Sequence, residues 1–185
     1  SVPPLLSQSS GHRGADNAPE TRWQYVPAVA PGRGYPPSMQ ASDVIDALGM
    51  AAHPEGGWYV ETWRAPSPAE GQRPTASAIL YLLASGERSH WHRVDAAEVW
   101  QWSAGEPLEL RIWAPGDEAV ATLRLGADLH HGELPQAVVP AGAWQAARPL
   151  GAWALVGCIV APAFEFAGFE LAPHGWEPPI SAYAG

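Results

Sequence analysis

Lysine is absent from this chain of 185 residues, and all ten basic side chains are arginine. That excludes Schiff-base chemistry, a P-loop nucleotidase and a lysine general base. Cysteine is nearly absent as well. Cys158 stands alone in the apolar run AWALVGCIVAP, so no disulfide can form within one chain and the thiol reads as a small buried hydrophobe. With no basic neighbour for Cys158 in sequence and no G-x-S-x-G, nucleophilic catalysis is poorly supported. No uninterrupted apolar run of about 18 residues occurs, and no charged-then-apolar leader opens the sequence. The expectation is a soluble, cytoplasmic protein with no membrane partner. Positive charge is scarce, the net charge being −9. This argues against a nucleic-acid partner, whose affinity rests on basic contacts to phosphate.

What the chain has instead is punctuation and indole: twenty prolines, nineteen glycines and ten tryptophans, which suit an all-β architecture with many turns. Residues 1–38 are rich in Pro, Ser, Gly and Arg without a sustained period, and read as an extended N-terminal arm pinned through Trp23, Tyr25, Val26 and Val29. The domain proper is expected over 39–185. One short helix is predicted near its start, with Ser42 as N-cap, Val44, Ile45 and Leu48 at helical spacing and Gly49 as the stop. Strands are then expected at Trp58–Arg64, Thr75–Leu83, Ser89–Val94, Ala97–Ser103, Leu108–Trp113, Ala119–Leu125, Gln136–Val139, Ala143–Arg148, Ala152–Val160 and Phe164–Leu171. Short strands separated by turns such as SAGEP and APGDE describe a sandwich or barrel.

The stretch GERSHWHRVDAAEVWQWSAG, from Gly86 to Gly105, carries the chemistry. Alternate side chains of a strand share a face. His90, His92 and Val94 are therefore expected on one face, with Trp91 and Arg93 on the other. After a reversal at Asp95-Ala96, the row Glu98, Trp100 and Trp102 follows. If the two rows share an interior, His92 and Glu98 converge there, fit either to hold a metal or to exchange a proton. The alternative is a surface histidine and glutamate on a hairpin.

The same stretch resembles the first motif of the cupins, G-x5-H-x-H-x3,4-E-x6-G, through Gly86, His92, Glu98 and Gly105, with Val94 in the place of the second histidine. Pro140-Ala141-Gly142-Ala143-Trp144-Gln145 matches the second motif's P-x-G-x2-H, with Gln145 in the histidine's place. HPEGGWYVETWR, WHRVDAAEVWQW, GEPLEL, VPAGAWQAARPLG and LVGCIVAPAFEFAGFELA make the chain similar to the cupin-5 (DUF985) family over roughly 41–177. The resemblance implies a homodimeric jelly-roll β-barrel, like sugar-nucleotide epimerases, with an open pocket in each barrel. His53, Glu55, Gly56, Gly57, Glu61, His92, Glu98, Trp100, Pro140, Gly142, Trp144 and Gln145 match the family's recurring positions, while His90 and Gln101 depart from it.

Three functional readings follow. In the first, a small polar or anionic molecule binds the barrel, and His92 and Glu98 act as base and orienting acid for metal-independent epimerisation or isomerisation, with no cofactor. Tyr81, Trp100, Trp102, Trp144, Gln145 and Glu61 would contact the substrate. In the second, His90, His92 and Glu98 hold a divalent transition metal for a lyase or oxygenase. The third is a binding module without catalysis. The loop HPEGG, with Gly56-Gly57 free to take positive φ, is expected to give Glu55 a structural rim or dimer-contact role.

Overall fold

The computed structural model describes residues 39–179. The predicted N-terminal arm lies outside the described residues. Helix α1 covers Ala41–Leu48 and ends at Gly49 in the left-handed region, at φ 62°, as a glycine stop requires. It begins earlier than expected. Gln40 rather than Ser42 is the N-cap, and its backbone N–H donates to Asp43 Oδ2 at 2.8 Å. Among the described residues no helix is long and apolar enough to cross a membrane.

Among the described residues eleven strands follow: β1 Ala51–Ala52, β2 Trp58–Arg64, β3 Ser77–Ala84, β4 Ser89–Val94, β5 Ala97–Gly105, β6 Leu108–Trp113, β7 Ala121–Leu125, β8 Gln136–Val139, β9 Trp144–Pro149, β10 Trp153–Ala161 and β11 Phe169–Leu171. They form two antiparallel sheets, ordered β1-β2-β3-β10-β5-β8 and β11-β4-β9-β6-β7, the jelly roll that the resemblance implies. The strand expected over Phe164–Leu171 is shorter. A 3₁₀ turn at Phe166–Gly168 precedes β11, and Phe164 and Phe166 sit in the connecting loop.

One end of the space between the sheets is packed solid. Leu83, Leu108, Leu110, Leu125, Ala154 and Val156 are all fully buried there. Full burial of each leucine contributes roughly 1.5–3 kcal/mol. The other end is hollow because its inward positions carry polar or aromatic side chains: Ser77 and Tyr81 on β3, Glu98 and Trp100 on β5, and Cys158 on β10. Helix α1 covers one part of the outer face of the larger sheet, placing Val44 against Leu82 and Leu155.

Two register shifts decide what faces the hollow. In β4 the pairing with β9 moves from Ser89↔Ala147 to His92↔Gln145, three residues against two. This bulge turns both Ser89 and His92 inward and leaves His90 outside. In β2 the pairing with β3 shifts between Glu61 and Trp63, so Tyr59, Glu61 and Arg64 line the hollow while Trp63 is exposed.

Candidate functional site

The hollow is a cavity of about 110 Å³. His92, from the inner face of β4, is 2% exposed. Its Nδ1 lies 2.8 Å from the backbone carbonyl of His90, a contact only an N–H can make, so the ring keeps its proton there. Nε2 then faces Glu55 Oε2 at 3.2 Å. Glu55 is folded into the barrel rather than onto the rim, correcting the expected rim or dimer-contact role. Its Oε1 accepts from Ser89 Oγ at 2.9 Å, and His53 Nδ1 lies 3.5 Å from its Oε2.

The HPEGG loop reaches inward through its backbone. Gly56 has φ 109°, and a β-carbon there would fall 2.2 Å from the Arg88 carbonyl. The His90 N–H donates to the Glu55 carbonyl at 2.9 Å, and Tyr81 Oη donates to the Gly56 carbonyl at 2.6 Å. The bulge of β4 is thus the anchor for the loop that carries Glu55.

Glu98 faces the same cavity but is held differently. Gln145 Nε2 donates to its Oε2 at 2.6 Å, Gln145 Oε1 accepts from Trp100 Nε1 at 2.9 Å, and the Cys158 thiol faces the same carboxyl. The carboxyl that His92 touches is therefore Glu55, and Glu98 acts on the imidazole through its charge. Burial pushes the His92 ring below its ordinary value, against the Glu98 charge and the His90 carbonyl, which favour the protonated ring. Burial likewise lowers His53, against the opposing pull of Glu55. The carboxyls move the other way. Burial raises Glu55 against His53, Ser89 and Tyr81, and raises Glu98 against His92, Gln145 and Cys158. Burial also pushes the Cys158 thiol and Tyr81 hydroxyl well above their usual ranges, so both are protonated donors at neutral pH.

Several expected site residues lie elsewhere. His90 does not share the face of His92: it lies on the outer side, where its Nε2 is 3.2 Å from the Pro173 carbonyl, so the His90/His92/Glu98 metal set is not assembled. Strict alternation fails there because of the bulge. Trp144 also faces outward, buried with Trp91, Trp113 and Trp176 under the Arg93 guanidinium. Trp102 packs beside the core with its Nε1 on the Glu106 carbonyl, away from the cavity. Gln145 sits behind Glu98 and is 1% exposed, a bridge rather than a substrate contact. Tyr81 and Trp100 line the cavity, and Glu61 lies at its mouth, where its carboxylate holds Arg64 through Nη2 at 2.6 Å.

Sequence reasoning missed the entrance. Phe164 and Phe166 line it, and Phe169 lies over His92 with ring centroids 5.5 Å apart. Arg73 ties this segment down, with Nη1 and Nη2 on Asp95 at 2.9 and 2.8 Å and Nε on the Ala163 carbonyl at 2.6 Å. Nor do the residues fit a resident metal. Among the described residues no three His, Cys, Asp or Glu side chains converge as a ligand set, and Val94 and Gln145 fill places where the usual cupin motifs carry histidine.

Comparison with known proteins agrees with this architecture. A protein from Shewanella oneidensis, solved by X-ray crystallography, is 38% identical, with a TM-score of 0.69 over 72% of this chain and 85% of that one. A hypothetical protein from Leishmania major is 32% identical, with a TM-score of 0.63 over 71% and 86%. The capsular-polysaccharide protein CapF with an inhibitor bound shares the fold alone, at 13% identity and TM-score 0.50, over 66% of this chain and 33% of that one. No curated protein matches the chain. The model of the cupin superfamily domain DUF985 matches residues 42–172, and the chain belongs to that family.

Proposed function

We propose that the barrel cavity binds a small polar molecule and moves a proton on it without a metal, as an isomerase or epimerase does. The observation that carries this reading is the His92–Glu55 contact at the cavity wall, with Nδ1 committed to a backbone carbonyl and Nε2 3.2 Å from Oε2. One proton shared by imidazole and carboxyl lets the pair accept or deliver a proton beside a carbonyl. The C–H bond breaks, its electrons move to the carbonyl oxygen as an enolate, the His92–Glu55 pair takes the proton and exchanges it with solvent, and a proton from the pair is delivered back to carbon as the carbonyl re-forms. Glu98, held by Gln145, supports the charge on His92. A cavity of about 110 Å³ is well below the roughly 300 Å³ of drug-sized sites, which argues for a substrate of few heavy atoms over an enclosed sugar nucleotide.

The test is solvent exchange. Two- to four-carbon hydroxy- and amino-carbonyl compounds incubated with the full chain in deuterium oxide should lose the proton signal beside the carbonyl, and His92→Gln should stop the loss. Exchange that survives in His92→Gln would sink the reading. A non-catalytic binding module is favoured by one observation: among the described residues every buried side-chain polar atom already has a hydrogen-bond partner. Binding without exchange in any compound would select it.

We also propose that two copies pair through the outer face of the larger sheet. Trp63, Ala78, Ile159, Val99 and Val138 stand in register across five adjacent strands there, with no charge among them. In a chain of net charge −9 such a row is where identical surfaces meet without repulsion. Sedimentation of Ile159→Glu should show a monomer where the unaltered chain is a dimer.

A further inference from the structure

The charges around the cavity are unbalanced in a way that specifies its guest. Three carboxyls line it, from Glu55, Glu61 and Glu98, against one guanidinium, from Arg64. That guanidinium is committed. Its Nε lies 3.2 and 3.1 Å from the two Glu61 oxygens, and its Nη1 donates to the Phe164 carbonyl at 3.1 Å. An anion seeking Arg64 would have to displace Glu61. Deeper in, both Glu55 oxygens are engaged, Oε2 by His92 Nε2 at 3.2 Å and Oε1 by Ser89 Oγ at 2.9 Å.

Glu98 is left as the group without a matching positive partner at bonding distance. It is 6% exposed, and its neighbours Gln145 Nε2 and the Cys158 thiol are both donors. A carboxyl has about four lone-pair sites. The Gln145 amide uses one, and the carboxyl lines the cavity with others to offer. Much of the remaining wall is aromatic, from Tyr59, Tyr81, Trp100, Phe164 and Phe166, and Ile79, Val94 and Val160 complete its apolar part. Ring faces attract cations and do nothing for anions.

We infer that the cavity takes a small ammonium-bearing compound, with its nitrogen on Glu98 and its carbon skeleton against the aromatic wall and the phenylalanines of the mouth. This rests on the reading of the cavity as a ligand site and, of the polar or anionic guest expected, proposes a cationic polar one. It also predicts the sign of the linked proton. Glu98 is faced by His92 from β4, Glu55 from the loop, Cys158 from β10 and Gln145 from β9, and its carboxyl is raised when the cavity is empty. A cation drives the proton off Glu98. An anion would draw one on.

Titration calorimetry of the full chain against ethanolamine, ethylene glycol and glycolate, at equal ionic strength and in buffers of different protonation enthalpy, tests the assignment. Ethanolamine should bind at least about tenfold more tightly than either analogue, with net proton release, and Glu98→Gln should weaken it about tenfold. Should Glu98→Gln fail to fold, the proton count in the unaltered chain decides. Glycolate binding best with proton uptake, or ethylene glycol binding as well as ethanolamine, overturns the charge assignment and leaves the cavity reading standing. No binding by any of the three overturns both.

Discussion

Replacing Gln145 by leucine keeps its volume and removes the amide that joins Trp100 to Glu98. Both contacts are buried, at 2.9 Å to the indole N–H and 2.6 Å to the carboxyl. Each polar group left without that partner costs about 1–3 kcal/mol, more if it is charged. After the leucine's own burial is counted, the net loss should be about 1–4 kcal/mol. The decisive measurement is a double-mutant cycle by urea denaturation, with Gln145→Leu and Trp100→Phe alone and together. With both partners gone no indole N–H is orphaned, so the double variant should be more stable than the sum of the single losses by about 1–3 kcal/mol. The Glu98 carboxyl should also rise further, since Gln145 is one of the bonds holding it down. If the two losses add within about 0.5 kcal/mol, the amide does not bridge the two groups and the account of how Glu98 is held fails.

Four other outcomes follow from the same contacts. The folded-state carboxyl of Glu98 lies above its ordinary 4.5, so the folded chain keeps a proton that the unfolded chain has lost. Stability should fall as pH rises through that window, and urea midpoints of Glu98→Gln should show a smaller decline, the remainder coming from Glu55, whose carboxyl is also raised. His53 has the opposite sign. Its folded value lies below 6.5, so its contribution is lost as pH falls, and His53→Gln should flatten the acid side of the stability profile. Gly56→Ala places a β-carbon 2.2 Å from the Arg88 carbonyl at φ 109° and should cost at least about 2 kcal/mol, read by thermal melting, together with loss of ligand binding as Glu55 is displaced. Arg73→Lys loses the fork on Asp95; that ion pair is exposed enough for global stability to change by less than about 1 kcal/mol. Hydrogen exchange over residues 162–169 should nevertheless accelerate, and unchanged protection would show that Arg73 does not hold the entrance.

The strands were legible because their punctuation is dense. β2, β4, β6 and β8 have the ends that the turns and apolar alternation predict. The helix was read correctly at Gly49 and two residues late at its start, because Gln40 is an uncommon cap and Ser42 a familiar one. Within the site, Glu98 and Trp100 were visible through alternation, since both stand on an uninterrupted stretch of β5, and His92 was placed inward although the bulge ends at it. His90 was misplaced because a bulge adds one residue on one strand and leaves no mark in a single sequence. Glu55 was misplaced for a different reason. Two glycines after a carboxylate announce a tight loop, but whether it folds outward or inward depends on the Arg88 and His90 backbone it meets, 33 and 35 residues further on. Trp144 shows the limit of motif matching: its position recurs in the family, yet strand parity sends it to the outer face and Gln145 to the inner one.

The chain holds only three phenylalanines, at 164, 166 and 169, and all three stand at the entrance to the barrel. Growth on a fluorinated analogue would therefore place a nucleus of high magnetic sensitivity at the doorway and nowhere else. Three resonances, without background from the interior, would report every arrival and departure of a guest, and the one over the His92 ring would also register the protonation of that imidazole.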